Sequence, residues 1–278
     1  MFDDMSPDVG ELSVESVEHA LTTDTDLALS SLAEMASATD ERLRALAQQL
    51  AARVVVDLAA TAPSHSRGVG KMRSVRMNDS GGDLDIDGST EALLMARAAG
   101  TPPHVDDLRM HAWTRPDAAI ALLIDRSGSM TGDRLAVAAV AAAAAAQKTQ
   151  SDYCVIAFSD RAIVVKGIGQ PRPVEEVVTD VLRLRGFGPT DLSLAFRTAA
   201  GQLARSGAAR QRTILLSDCR PTAGGAPERQ AAALEQLGIL APADDCEDAE
   251  ALAAVVGAKW ATLAGPTGVP AAFAKLSD

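Results

Sequence analysis

Apolar residues along this chain keep one period near the start and another further on. Between 39 and 60, Leu43, Leu46, Ala47, Leu50, Val54 and Leu58 recur at helical spacing behind Thr39-Asp40-Glu41, which predicts one long helix. Shorter helices are expected at about 13–21 and 27–35. From residue 118 onward the pattern changes to unbroken apolar runs of strand length. The run 118–124 reads as a fully buried strand, and 213–217 as another. The Ala-rich run 135–146 between them reads as a helix. Strands are expected at 153–158 and 162–166. Only Ser159-Asp160-Arg161 separates them, too short for a crossover, so they must pair antiparallel. Helices follow at 173–184, 191–206, 227–237, 245–256 and 270–276, with strands at 238–240 and 259–263.

Strands that alternate with helices predict an α/β fold with a doubly wound, mainly parallel sheet. The antiparallel pair at 153–166 adds one antiparallel edge. The chain divides into an acidic helical segment over 1–60, a basic loop and connecting region over 61–116, and a large domain over 117–278. The first segment has twelve Asp or Glu against Arg42, Arg44 and Arg53. Its apolar stripe predicts that it docks on something, while the first ten residues read as mobile.

The connecting region offers little chemistry. Arg67, Lys71, Arg73 and Arg76 occur over 61–77 with no acid, which reads as a solvated basic loop, with docking on an acidic partner surface left open. Gly70-Lys71 is not a phosphate loop: His65 stands where the earlier Gly is required, and Met72 where a hydroxyl should bind magnesium. The alternating carboxylates Asp83, Asp85 and Asp87 lack the spacing and closing Glu of an EF-hand. A turn and short strand are expected there, then a helix over 90–99 capped by Ser89. An extended segment is expected over 108–113.

Composition narrows the function. Aromatics are 3% of the 278 residues, so the core must be built from Ala, Val, Leu and Ile. A net charge of −11 argues against general nucleic-acid binding. Cys154, Cys219 and Cys246 are widely spaced and form neither a zinc pair nor a disulfide framework, which points to a reducing, cytoplasmic compartment. The N-terminus lacks the basic and apolar regions of a signal peptide. The longest apolar run is too short to span a bilayer, so no membrane partner is expected.

The chemistry gathers where the first long strand ends. Asp125, Ser127 and Ser129 lie on the loop between that strand and the Ala-rich helix, where α/β folds bind ligands. They offer only hard oxygens, suited to magnesium or calcium rather than zinc or copper. Gly128 lets the loop curl. The alternative is that Asp125 caps the next helix and the serines satisfy loop amides.

The D-x-S-x-S run resembles the metal-ion-dependent adhesion site of von Willebrand factor A domains. Thr190, in Gly186-Phe187-Gly188-Pro189-Thr190-Asp191, and Asp218, ending the run 213–217, fill the two remaining positions of that motif. The resemblance covers roughly 118 to the C-terminus. It implies a six-stranded sheet and direct metal ligation by the Ser127 and Ser129 hydroxyls. Thr190, Asp125 and Asp218 would bind directly or through water. The implied ion is Mg2+, with Mn2+ or Ca2+ as alternatives, and it would take one more oxygen from a partner's Asp or Glu. Two features depart from the pattern or flank it. Cys219 stands where relatives often have Gly, and Arg126 and Arg220 flank the site, placed to steer an acidic ligand or to serve as ordinary surface arginines.

No enzyme is expected. An aspartyl phosphotransferase would need a second Asp where Ser127 stands, and His19, His65, His104 and His111 show no triad pattern. The chain is similar to bacterial cytoplasmic proteins of the MoxR-associated and CoxE-like type, and to the C-terminal part of the magnesium-chelatase D subunit. That similarity implies an adaptor coupling a client to a MoxR-type AAA+ ATPase. The rivals are a standalone interaction module and a metal-dependent hydrolase, for which no base or nucleophile set is found.

Overall fold

Among the described residues, three helices precede the first strand in the structure, a computed structural model describing residues 5, 12–36, 38, 41–60, 71–76, 83–114, 118–127, 132–149 and 152–277, with side chains except at 71–73, 75–76, 106, 112–114 and 277. Helix α1 (Val14–Thr23) begins where the Ser13 hydroxyl accepts from the Ser16 amide, and α2 (Thr25–Met35) where the Asp24 carboxylate accepts from the Leu27 amide at 3.0 Å. Both caps satisfy amides that the first helical turn leaves without partners. Helix α3 (Glu41–Ala60) is the long helix expected from the periodicity.

Contacts divide the chain into two units, 66–117 and the remainder. The smaller unit holds β1 (Lys71–Arg76), β2 (Asp83–Leu84), α4 (Ile86–Ala99) and β3 (Arg109–Thr114), with the strands in the antiparallel order β1-β3-β2. The expected basic loop over 61–77 is thus partly wrong. Residues 71–76 form a strand, because β3 supplies backbone partners from Lys71↔Thr114 to Arg76↔Arg109. Charge composition carries no trace of that long-range pairing. The cap of α4 is also corrected. Asp85, not Ser89, starts the helix by accepting from the Gly88 amide at 2.8 Å. Ser89 is buried instead and exchanges hydrogen bonds with the backbone of Arg109. A hydrogen bond from Ser74, then the Gly88 amide, hold the Asp85 carboxyl below the usual carboxylate range.

In the larger unit, β4 (Ala118–Asp125), α5 (Gly132–Thr149), β5 (Tyr153–Phe158), β6 (Ala162–Lys166), α6 (Val174–Leu182), α7 (Leu192–Leu203) and β7 (Arg210–Leu216) follow the expected order. Next come α8 (Glu228–Ala232), β8 (Leu237–Pro242), α9 (Glu247–Val256), β9 (Lys259–Leu263) and α10 (Val269–Ser277). Helix α8 is shorter than the 227–237 expected, because Leu237 instead pairs with Thr213 and begins β8. The six strands lie in the order β6-β5-β4-β7-β8-β9, and only β5 and β6 pair antiparallel. This is the expected doubly wound sheet with one antiparallel edge strand. Register along β4 and β7 runs from Ala118↔Arg210 to Ile124↔Leu216, so both chains leave the sheet side by side at its carboxyl edge.

Helix α5 explains the Ala-rich run. It has 18 residues and twelve of them are buried. One side lies on the sheet, against β4 and β5, and the others lie under α2, α3 and α6. A helix apolar all round is a buried helix, and alanines let the covering helices approach closely. The N-terminal helices therefore share the core of the sheet domain. Helix α3 buries Leu43, Ala47, Ala51, Ala52, Val55 and Ala59, while Leu46, Leu50, Val54 and Leu58 are only half-buried. The contact face is turned from the leucine stripe toward the alanines, the residues small enough for helix-on-helix contact. Buried Gln48 joins three segments: its amide donates to the Ala36 carbonyl at 3.0 Å, and its oxygen accepts from the Arg183 guanidinium.

Helix α2 also touches two loops at the carboxyl edge of the sheet. A Cβ on Gly132 would meet Glu34 Cγ at 2.6 Å and the Ser30 carbonyl at 2.7 Å, so only glycine fits there. The Asp26 carboxylate accepts from the Thr267 amide at 2.7 Å and the Thr267 hydroxyl at 2.8 Å. Among the described residues no helix is long and apolar enough to cross a membrane.

Candidate metal centre

Three loops at the carboxyl edge carry the oxygen ligands expected from the sequence. Asp125 is the last residue of β4, and Ser127 follows it. Thr190 precedes α7, whose N-cap is Asp191. Asp218 follows β7. Ser129, the remaining expected ligand, lies outside the described residues, as does Gly128.

Backbone and side-chain hydrogen bonds lace these loops together. The Arg126 amide donates to the Phe158 carbonyl at 2.9 Å, which holds the first loop to β5. The Phe187 amide donates to the Arg126 carbonyl at 2.8 Å, tying in the Thr190 loop. The Thr190 amide donates to the Thr222 hydroxyl at 2.8 Å, and the Thr222 amide returns a bond to the Thr190 carbonyl at 3.1 Å. Thr222 belongs to the loop after Asp218. The three loops are thus tied together, and Thr190 is buried among them.

Asp125 is 8% exposed and each of its carboxylate oxygens accepts a hydrogen bond. One oxygen takes the Ser127 amide at 2.9 Å and the other the Ser217 hydroxyl at 2.6 Å. Among the described residues these bonds do not cap α5. Burial pushes the Asp125 carboxyl above the usual range; the bonds from Ser217 and Ser127 oppose the rise, and the charge of Asp218 adds to it. Among the described residues no basic side chain pairs with Asp125. A buried carboxylate beside a second carboxylate, with hydroxyls around it, is a donor set that suits a cation. Hard oxygens of this kind fit magnesium or calcium. Among the described residues no group of three His, Cys, Asp or Glu converges.

Ser217 was not picked out from the sequence, although a hydroxyl directly before Asp218 was visible. It is the residue that joins the two aspartate loops: its hydroxyl donates to Asp125 and accepts from the Cys219 amide at 2.9 Å. Cys219 has φ 63, the single non-glycine residue in the left-handed region among the described residues. That conformation favours glycine and is strained for other residues, which gives a physical reason for a glycine in relatives. The thiol is buried, and burial together with Asp218 and Asp125 pushes its pKa far up.

Both flanking arginines have partners on the protein. Arg220 is held by Asp245 at 2.7 Å and Asp248 at 2.8 Å, so its charge is already matched on the protein. Arg126 is half-buried and donates to the Arg185 carbonyl at 3.4 Å. Phe187 lies on the same loop as Thr190. It is 72% exposed, on a loop pinned to the residue after Asp125.

Residues 120–220 match the family model of the von Willebrand factor type A domain, and the chain carries that domain there. Similar solved structures include a von Willebrand factor type A protein from Catenulispora acidiphila, 18% identical over 59% of this chain and 42% of that one, with a TM-score of 0.46. Proximal thread matrix protein 1 from the mussel byssus is 13% identical over 58% of this chain and 47% of that one, with a TM-score of 0.49. The PilB minor pilin from Streptococcus sanguinis is 11% identical over 61% of this chain and 63% of that one, with a TM-score of 0.46. The chain spans less than two thirds of the length of each of these structures. No curated protein matches it.

Proposed function

We propose that this chain is a metal-dependent protein-binding adaptor. Asp125, Ser127, Ser129, Thr190 and Asp218 would hold Mg2+, with Mn2+ or Ca2+ as the alternatives to be separated by titration. The bound ion supplies a Lewis-acidic position that accepts one more oxygen, from an Asp or Glu of a partner protein. The observation that carries the reading is Asp125 itself, a buried carboxylate next to Asp218 with no basic partner among the described residues.

Exposed Phe187 favours a protein as the partner. An aromatic ring held out beside a polar site is a typical anchor of protein interfaces. The acidic net charge of −11 speaks against nucleic acid. In this reading the chain carries out no chemistry of its own. Burial raises the thiols of Cys154, to about 12, and of Cys219, which makes both poor nucleophiles. By its resemblance to MoxR-associated, CoxE-like and chelatase-D-like proteins, the adaptor would act in the cytoplasm and couple a client to a MoxR-type AAA+ ATPase.

Calorimetry with MgCl2, followed by capture of the ATPase or its client with and without chelator, tests both halves. Magnesium binding lost in Asp125→Ala, and a complex lost with chelator, support the adaptor. A complex indifferent to both removes the metal from recognition. A magnesium-dependent complex that holds a client and no ATPase leaves a standalone binding module.

A further inference from the structure

A cavity of about 490 Å3 opens beside the candidate metal centre and shares Asp125, Ser217 and Asp218 with it. Its floor is apolar: Ile124 on β4, Leu216 on β7, Leu240 on β8 and Leu263 on β9. Its rim is acidic, with Asp133 from the start of α5 and Asp244 from the loop after β8, both exposed. Neither carboxylate pairs with a basic side chain among the described residues, and the one basic residue on the wall among them, Arg134, is already engaged. The volume lies within the range of pockets that hold ligands.

An apolar floor under an unneutralised acidic rim matches an aliphatic stem that ends in a cation. Lysine and arginine side chains have that form, burying the stem while the charged head stays near water. A leucine would cover the floor and leave the rim carboxylates unmatched; an acidic side chain would be repelled by them. We propose that this cavity receives a Lys or Arg side chain of the partner protein, next to the acidic residue that reaches the metal. The proposal rests on the carboxylate-capture reading only for the second half, the neighbouring acid; the cavity's preference for an alkyl cation stands without it. It defines the partner's surface as a basic residue beside an acidic one, so a partner peptide with the acid alone binds less well.

Two measurements separate the cavity from the metal. The first is an NMR titration of the magnesium-loaded full chain with n-pentylammonium, pentanol and pentanoate. Pentylammonium is expected to shift the Ala241, Ala243 and Leu263 amides most, and pentanoate least. Asp133→Asn and Asp244→Asn are each expected to weaken the amine about two- to five-fold, the size of an exposed charge pair. Ala243→Trp, which fills the mouth from an exposed position, should abolish the shifts and leave magnesium affinity unchanged. Equal response to pentanol, or no response at these amides, overturns the proposal.

The second is binding of synthetic peptides with one Glu flanked by Lys, Arg, Leu or Glu, with and without magnesium. Tighter binding of the Lys and Arg peptides, lost in Ala243→Trp, supports the pairing of the two subsites. Magnesium-dependent binding with no preference among the flanking residues overturns that pairing while carboxylate capture survives. Amine binding in the first measurement without any magnesium-dependent peptide binding keeps the cavity and removes carboxylate capture.

Discussion

The Ser217 hydroxyl donates to the Asp125 carboxylate at 2.6 Å across the junction of β4 and β7. The same oxygen accepts the Cys219 amide, so one serine sets both the acceptor state of Asp125 and the turn that follows Asp218. Ser217 and Asp125 are 92 positions apart in sequence, and this hydrogen bond ties the loops of the two aspartates together.

Removing that bond should weaken a metal site without emptying it. Ser217→Ala is expected to lower magnesium affinity about 10- to 100-fold, as loss of a supporting partner does. Ser217→Thr keeps the hydroxyl and should recover much of the affinity. Asp125→Ala should abolish binding while circular dichroism stays unchanged. Calorimetry on the three variants checks the order; equal affinity in Ser217→Ala and wild type would place the support elsewhere.

Cys219 gives a backbone test. A left-handed residue other than glycine carries about 1–2 kcal/mol of strain. Cys219→Gly should relieve it and lose the packing of a buried thiol, leaving denaturant stability within about 1 kcal/mol of wild type. Cys219→Val, branched at the β carbon, should cost about 2 kcal/mol or more. With dithionitrobenzoate, Cys246 should react ahead of Cys154 and Cys219, since it is only half-buried.

The alanines of α5 are a packing requirement. Ala142 is fully enclosed between the sheet and the covering helices. Ala142→Leu should destabilise the fold by about 1–3 kcal/mol through overpacking. Exposed Ala200 is the control, and Ala200→Leu should stay within about 0.5 kcal/mol of wild type. Urea midpoints decide between a tight contact and a loose one.

Lys166 should make stability rise in alkaline solution. It is 1% exposed, its ammonium donates to the Tyr153 carbonyl at 2.8 Å, and it lies 4.0 Å from the Tyr153 ring centroid. Burial lowers its pKa from the ordinary 10.5. Between the lowered value and 10.5, the unfolded chain holds a proton that the folded chain has released, so folding becomes more favourable as pH rises. Lys166→Met lacks that proton. The stability difference between wild type and Lys166→Met, read from urea midpoints at increasing alkaline pH, should move in favour of wild type. A flat difference would mean that the buried lysine titrates as it does in the unfolded chain.

By itself the sequence determined whatever depends on neighbours along the chain. Buried strands announced themselves as apolar runs, and the three-residue link Ser159–Arg161 forced the antiparallel edge, because backbone that short cannot cross over. The oxygen-rich positions at the ends of two strands were visible for the same reason. Tertiary structure decided what depends on distant segments. Residues 71–76 became a strand only because β3 lies beside them, and local charge says nothing of that partner. The buried face of α3 was chosen by the alanines of α5, whose small side chains reward close approach over leucine bulk. Arg220 was claimed by Asp245 and Asp248 from a later helix and its approach. Asp125 gained Ser217 from the end of a neighbouring strand, which made a carboxylate at a strand end into a buried, hydrogen-bonded one.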